Sequence, residues 1–172
     1  MILKHLLFLF FFFKLSFALI VSPEEVMKQT FKSDTVIKKS MILTKAQHAK
    51  VEQIAKNKLK SKLYRVYISQ NGDKTIGIGI LLTQTVRSKN TAVLYALDDK
   101  GILNSIEIIA FREPKEYLPT KRWMKQFTEQ KAEHFSSEDG NIDNISGATL
   151  SANAIIRAAN LAHAIYKVAL KR

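Results

Sequence analysis

The sequence contains no cysteine. This absence excludes disulfide bonds, thiolate catalysis, iron–sulfur clusters and any metal site that needs a cysteine ligand. The four histidines are His5, His48, His134 and His163, and none forms a pair at the spacing of metal ligands. The sequence therefore predicts no metal site, and redox chemistry in this protein would need an organic cofactor.

Other chemical signatures are missing as well. There is no Ser/His/Asp set, no paired-carboxylate motif and no nucleotide-binding glycine loop. No recognisable nucleic-acid-binding module accompanies the basic charge, and there is no internal repeat. We therefore expect neither catalytic residues nor a nucleic-acid partner.

The composition is that of a globular protein with a strongly basic surface. The chain has 172 residues, of which 47% are apolar, and its 27 basic and 15 acidic residues give a net charge of +12. This length accommodates one domain with a core, plus a leader. We interpret the charge excess as mostly solvated surface that helps to dock an acidic redox partner.

The first 22 residues have the layout of a secretory signal peptide. A positive start that includes Lys4 precedes an apolar run at residues 6–13, and the small residues Ser16 and Ala18 follow. Cleavage after Ala18 or after Ser22 would fit this layout.

A retained N-terminal membrane anchor is the alternative for this leader, because the apolar stretch resumes at residues 15–21. Lys14 argues against it, since a lysine in mid-helix costs about 3 kcal/mol on membrane insertion. Both interpretations predict a periplasmic or otherwise extracytoplasmic protein, which could be membrane-associated.

Residues 23–172 are predicted to form a single domain of the α+β class. Its antiparallel sheet is expected from two hairpins, with strands at 63–70, 74–82, 92–97 and 102–111. Helices are expected at 23–31 and 44–60, from Pro119 or Thr120 through Phe127, and at 151–170. Strands that form hairpins between flanking helices, rather than alternating with helices, indicate this class.

The most informative stretch lies just before the last predicted helix. Residues 143–149 read Asp-Asn-Ile-Ser-Gly-Ala-Thr. A turn of small residues at a helix start offers amide N–H groups and the positive end of the helix dipole to a phosphate. The turn ends in the hydroxyl of Thr149, which a phosphate could esterify. The plainer interpretation is a helix N-cap.

Asp143, Ser146, Gly147, Ala148 and Thr149 resemble the attachment motif of the FMN-binding domain family. That family includes flavin subunits of sodium-pumping NADH:quinone reductase and of Rnf-type electron-transport complexes. There, a separate Mg-dependent flavin transferase joins FMN from FAD to the last threonine of the motif. The resemblance implies FMN linked by a phosphoester to Thr149, with Asp143 and Ser146 shaping the turn and aiding recognition by the transferase.

A second block of resemblance, to a stand-alone exported branch of this family, lies at residues 85–89 and 111–119. It adds Arg87, Lys89, Glu113 and Tyr117 as candidate cofactor-binding residues. Surface ion pairs are the alternative for the two basic side chains.

The segment after Glu113 departs from the family, because it lacks the glycine that the reductase and Rnf-type subunits carry near the flavin ring. Tyr117 or Trp123 could stack on that ring, or could be ordinary core aromatics. Gly77 and Gly79, which share one strand face, could likewise admit a planar ring or reflect close packing.

The resemblance implies an exported electron carrier that works between redox partner proteins, rather than a self-sufficient enzyme. Two other functions fit the residues. One is a sensory or regulatory flavin-binding module, and the other is a flavin-free exported binding protein whose motif only caps a helix.

Overall fold

The computed structural model describes residues 21–129 and 134–171, so the expected leader lies outside the described residues apart from Val21 and Ser22. One antiparallel sheet contains five strands in the order β1-β2-β3-β4-β5. They are β1 (Thr35–Ile42), β2 (Leu63–Asn71), β3 (Lys74–Thr85), β4 (Asn90–Asp98) and β5 (Leu103–Ala110). With the helices on both faces, this sheet confirms the predicted α+β class.

Five α-helices flank the sheet within the described residues. They are α1 (Pro23–Phe31), α2 (Lys45–Ala55), α3 (Lys121–Met124), α4 (Gln126–Glu129) and α5 (Thr149–Ile165), and α5 continues as a π-helical turn over Tyr166–Leu170. A short 3-10 helix occupies Lys115–Tyr117. None of the helices in the described ranges is long and apolar enough to cross a membrane.

Local capping explains where the first two helices begin and end. Ser22 accepts the N–H of Glu25 at the start of α1, and Thr44 forms the predicted capping box with Gln47 at the start of α2. Helix α2 ends at Ala55 rather than at the predicted residue 60. Lys56 adopts the left-handed conformation (φ 49°) and donates its N–H to the carbonyl of Glu52, which closes the helix.

The two predicted hairpins are confirmed, and the sheet has one strand more. Gly72, at φ +54°, sits in the turn between β2 and β3. The additional strand, β1, pairs antiparallel with β2 along its whole length. Most positions of β1 are exposed, and its sequence does not alternate between apolar and polar residues. The pattern that identifies a half-buried strand is therefore missing.

Helix α1 covers one face of the sheet and explains the two glycines of β3. A Cβ at Gly77 would collide with the ring of Phe31, and one at Gly79 would collide with Met27. The packing interpretation of these glycines is therefore confirmed. Side chains of α1 occupy the place where a planar ring could have lain.

The opposite face carries the larger core and fixes helix α5. Gln84 on β3 donates its side-chain N–H to the carbonyl of Ala154 (2.6 Å), and Tyr95 on β4 donates its hydroxyl to the carbonyl of Ile155 (3.2 Å). Burial raises the pKa of Tyr95 well above its usual value, so this donor keeps its proton. The sheet thereby holds α5, and with it the turn that precedes the helix.

Candidate functional site

The motif at residues 143–149 forms a tight turn that leads directly into α5. The N–H of Ala148 donates to the carbonyl of Ile145 (3.1 Å), and Gly147 between them has φ +78°. A positive φ at the third position of such a turn favours glycine, because a Cβ is disfavoured there. Asp143 and Ser146 are exposed, and neither side chain hydrogen bonds to a described residue. The turn is therefore shaped by its backbone, and these two side chains remain available for recognition.

Helices α3 and α4 hold the first residue of the motif from both sides. The indole N–H of Trp123 donates to the carbonyl of Asp143 (2.7 Å), and the N–H of Asp143 donates to the side-chain oxygen of Gln126 (2.9 Å). Trp123 is buried and packs edge-on against Phe127, with ring centroids 5.2 Å apart. The structure thus gives Trp123 an anchoring role that its sequence position did not reveal.

The Thr149 hydroxyl is accessible. The residue is exposed, and its Oγ1 donates a hydrogen bond to the carbonyl of Ile145 (3.3 Å). It lines a cavity of about 350 Å³ together with Arg87, Tyr117 and Ser151. Because the proton of the hydroxyl points to a carbonyl, the lone pairs of the oxygen are left for an incoming group.

The surroundings of Thr149 suit an anion. The first N–H groups of α5 have no intrahelical partners, and Ala148 at the N-cap supplies no side-chain acceptor. Ser151 is 1% exposed, and its hydroxyl has no hydrogen-bond partner in the described part of the chain. Arg87 adds a positive charge to the same cavity. These donors are what a phosphate monoester or diester requires.

Glu113 lies beside this cavity and holds the loop that carries Arg87. One oxygen of its carboxylate, Oε1, accepts the backbone N–H groups of Arg87 (3.2 Å), Ser88 (2.7 Å) and Lys89 (2.7 Å). These bonds hold the pKa of Glu113 below its usual value; the bond from Ser88 has the largest effect and the bond from Lys89 the next largest. The carboxylate is therefore ionised at neutral pH and engaged by the loop.

Tyr117 completes the arrangement. The Arg87 guanidinium lies 4.1 Å from the centre of the Tyr117 ring, which is a cation–π distance. Both residues line the cavity at Thr149, whereas Lys89 does not. The structure thus brings Arg87 and Tyr117 to the motif, and it places Glu113 where it positions Arg87.

The motif also borders a larger cavity, of about 830 Å³. Leu118, Thr120 and Trp123 line it together with Asp143 and Ser146. The motif therefore borders two cavities, one at the N-terminus of α5 and one beside the indole.

The hydroxyl of Thr149 is a potential nucleophile. Within the described ranges, Thr149 donates its proton only to a main-chain carbonyl, and no group of three or more His, Cys, Asp or Glu residues could hold a metal ion.

Together, the sheet, the α5 N-terminus and the cavity define an α+β domain with a cavity whose hydrogen-bond donors suit a phosphate group. Residues 87–164 match the model of the FMN-binding domain family, so this segment is similar to that family. This match supports a flavin-binding protein with FMN as its cofactor. No curated protein and no solved structure gives a significant match to the chain.

Proposed function

We propose that this protein is an exported electron carrier whose FMN is attached covalently, through its phosphate, to Thr149. The observation that carries the proposal is the exposed hydroxyl of Thr149 at an uncapped helix N-terminus, beside a cavity that Arg87 and Ser151 line. The match to the FMN-binding domain family supports the nature of the cofactor.

The residues at the motif have distinct roles in this proposal. The first amide groups of α5, the Ser151 hydroxyl and the Arg87 guanidinium would hold the phosphate. Tyr117 would keep Arg87 in place until the phosphate arrives, through the contact described above. The flavin supplies one- or two-electron redox chemistry when bound, and the domain orients it.

The attachment would be a phosphoryl transfer that balances without an oxidant or a reductant. The oxygen of Thr149 forms a bond to the FMN phosphorus of FAD, the bond to AMP breaks, and AMP leaves with the threonine proton. Because the described residues provide no base for this proton, a separate flavin transferase is the partner that the reaction requires.

A carrier role follows from the proposed covalent attachment of the cofactor. A tethered cofactor cannot leave, so it serves repeated transfer between larger redox partners. The alternative is a sensory or regulatory flavin module, and a reduction assay with candidate electron donors separates the two. A carrier passes its electrons on to an acceptor, whereas a sensor retains them.

Intact mass spectrometry tests the attachment. After co-expression with a flavin transferase, we expect the protein to gain the mass of FMN less one water, and we expect Thr149→Val to lose this gain. Thr83→Val, which makes the same change at an exposed threonine outside the motif, is the matched control and should keep it. An unchanged mass for the native chain would refute the covalent link.

A further inference from the structure

The positive charge of this protein is concentrated in one part of the chain. Residues 35–72 contain nine basic residues and one acidic residue, a net charge of +8 out of +12 for the whole sequence. The single acidic residue, Glu52, accepts the N–H of Leu59 (2.8 Å) through its carboxylate. This segment comprises β1, α2 and β2, and the family match begins only at residue 87.

The densest part of this segment is the connection between α2 and β2, which we call the lysine loop (residues 56–62). Lysine occupies every second position, as Lys56, Lys58, Lys60 and Lys62, and all four are exposed. None of the four forms a salt bridge with a residue in the described ranges.

The backbone of the lysine loop is fixed although its lysines are exposed. Beside the Glu52–Leu59 bond, the carbonyl of Lys62 accepts the N–H of Leu43 (2.9 Å). The hydroxyl of Tyr64 donates to the carbonyl of Ser61 (2.9 Å). The loop therefore presents its charges from a defined backbone, so little backbone entropy is lost when they meet a partner.

Two exposed aliphatic side chains lie beside the lysine loop. Ile42 ends β1, Leu63 begins β2, and the two residues are directly paired across the strands. Ile42 is 71% exposed and Leu63 is 56% exposed. An apolar pair at the edge of a basic loop fits a membrane surface. The aliphatic side chains can enter the acyl-chain region, while the lysines contact anionic headgroups.

The residue types favour a lipid surface over nucleic acid. Eight of the nine basic residues are lysine. Lysine attracts anions but lacks the planar guanidinium of arginine, which binds phosphates in a fixed geometry. The aromatic residues of the segment, Tyr64 and Tyr67, are buried, so no ring is available to stack on a base.

The lysine loop leaves the flavin site uncovered. It borders a cavity with Arg157 and Leu161 of α5. Arg157 lies eight residues beyond Thr149, which corresponds to about 12 Å along a helix. A membrane that contacts the loop would therefore not need to cover the motif turn.

We propose that the lysine loop, with Ile42 and Leu63, docks this protein peripherally on an anionic lipid surface. This contact is independent of the proposed flavin attachment, because it uses none of the residues of that site.

The test is equilibrium binding of the full chain to two kinds of vesicle, neutral phosphatidylcholine and phosphatidylcholine with 30% phosphatidylglycerol. The ratio of the two affinities isolates the charge-dependent part of binding, because an apolar contribution from residues 1–20 is common to both kinds of vesicle. We expect replacement of the four loop lysines by glutamine to reduce this ratio at least about thirtyfold. Ile42→Ser with Leu63→Ser should weaken binding to the anionic vesicles about tenfold.

The matched control replaces four exposed lysines elsewhere by glutamine, at Lys74, Lys100, Lys115 and Lys125, and removes the same charge. We expect it to change the ratio less than threefold. An equal loss in this control, equal binding to both kinds of vesicle, or tighter binding to polyglutamate than to anionic vesicles would overturn the proposal. Circular dichroism of each variant verifies that it is folded.

Discussion

A single carboxylate connects two distant parts of the sequence at the proposed flavin site. Glu113 lies 24 to 26 residues from the three backbone N–H groups that it accepts, and those groups belong to the loop that carries Arg87. Without these bonds the loop would lose the acceptor for three neighbouring donors, and Arg87 would no longer be held beside the motif.

We predict that Glu113→Gln lowers stability at neutral pH and slows flavin attachment, because a neutral amide accepts these bonds less strongly. The folded-state pKa of Glu113 is lowered from its usual value of 4.5. The advantage of the native chain is therefore complete above about pH 4.5 and disappears as the pH falls through the lowered pKa. Unfolding of both proteins between pH 3 and pH 7 checks this, and a difference that does not change with pH would contradict it.

We predict that removal of the buried Ser151 hydroxyl has opposite effects on stability and on flavin attachment. Its Oγ has no hydrogen-bond partner in the described residues, so Ser151→Ala removes an unsatisfied polar atom. We expect the protein without flavin to be unchanged or more stable by up to about 1 kcal/mol in urea unfolding. The rate of flavin attachment should nevertheless fall, because a phosphate donor is lost. A loss of stability without a change in that rate would assign Ser151 to the fold alone.

At the scale of elements, the motif turn depends on the backbone conformation of Gly147. A Cβ there would meet nothing within 4 Å, so Gly147→Ala costs only the strain of φ +78°, about 1 kcal/mol. Gly140→Ala is the matched control, because Gly140 has φ +74° and the same open surroundings. Both variants should lose similar stability in urea unfolding, but only Gly147→Ala should slow flavin attachment. Equal attachment rates would show that the turn geometry is not needed.

The packing of α1 on the sheet leaves no room for a side chain at Gly77. Gly77→Ala places a methyl group against the ring of Phe31, and we expect it to destabilise the fold by about 1–3 kcal/mol. In the Phe31→Ala background the same substitution should cost much less, because the ring is gone. A double-mutant cycle by urea unfolding measures this coupling. Additive effects would show that α1 does not pack as described.

Local signals in the sequence predicted the elements that they control. The capping box at Thr44 and the turn at Gly72 were correct, because each depends on a few neighbouring residues. Strand β1 was missed, since only its pairing with β2 defines it. Of the site, the motif and Arg87 were predicted, but the bond from Trp123 to Asp143 was not. That bond joins residues 20 apart through a main-chain carbonyl, which leaves no pattern in the sequence.

At the scale of the whole molecule, the described residues carry two distinct surfaces, the motif turn and the lysine loop. The motif turn opens α5 beside Arg87 and Tyr117, while the charge excess lies in the earlier segment of β1, α2 and β2. Helix α2 packs against α5, so the elements that carry the two surfaces are in direct contact. In the two proposals together, the protein would contact a membrane through the lysine loop and keep its cofactor open to redox partners at the motif turn.

The most direct test of the flavin site is to locate the modification within the chain. Trypsin releases residues 132–157 as one peptide, in which Thr149 competes with the hydroxyls of Ser136, Ser137, Ser146 and Ser151. Fragmentation of this peptide from protein made with a flavin transferase should place one FMN phosphoester on Thr149. An unmodified peptide, or an FMN group on one of the serines, would contradict the account.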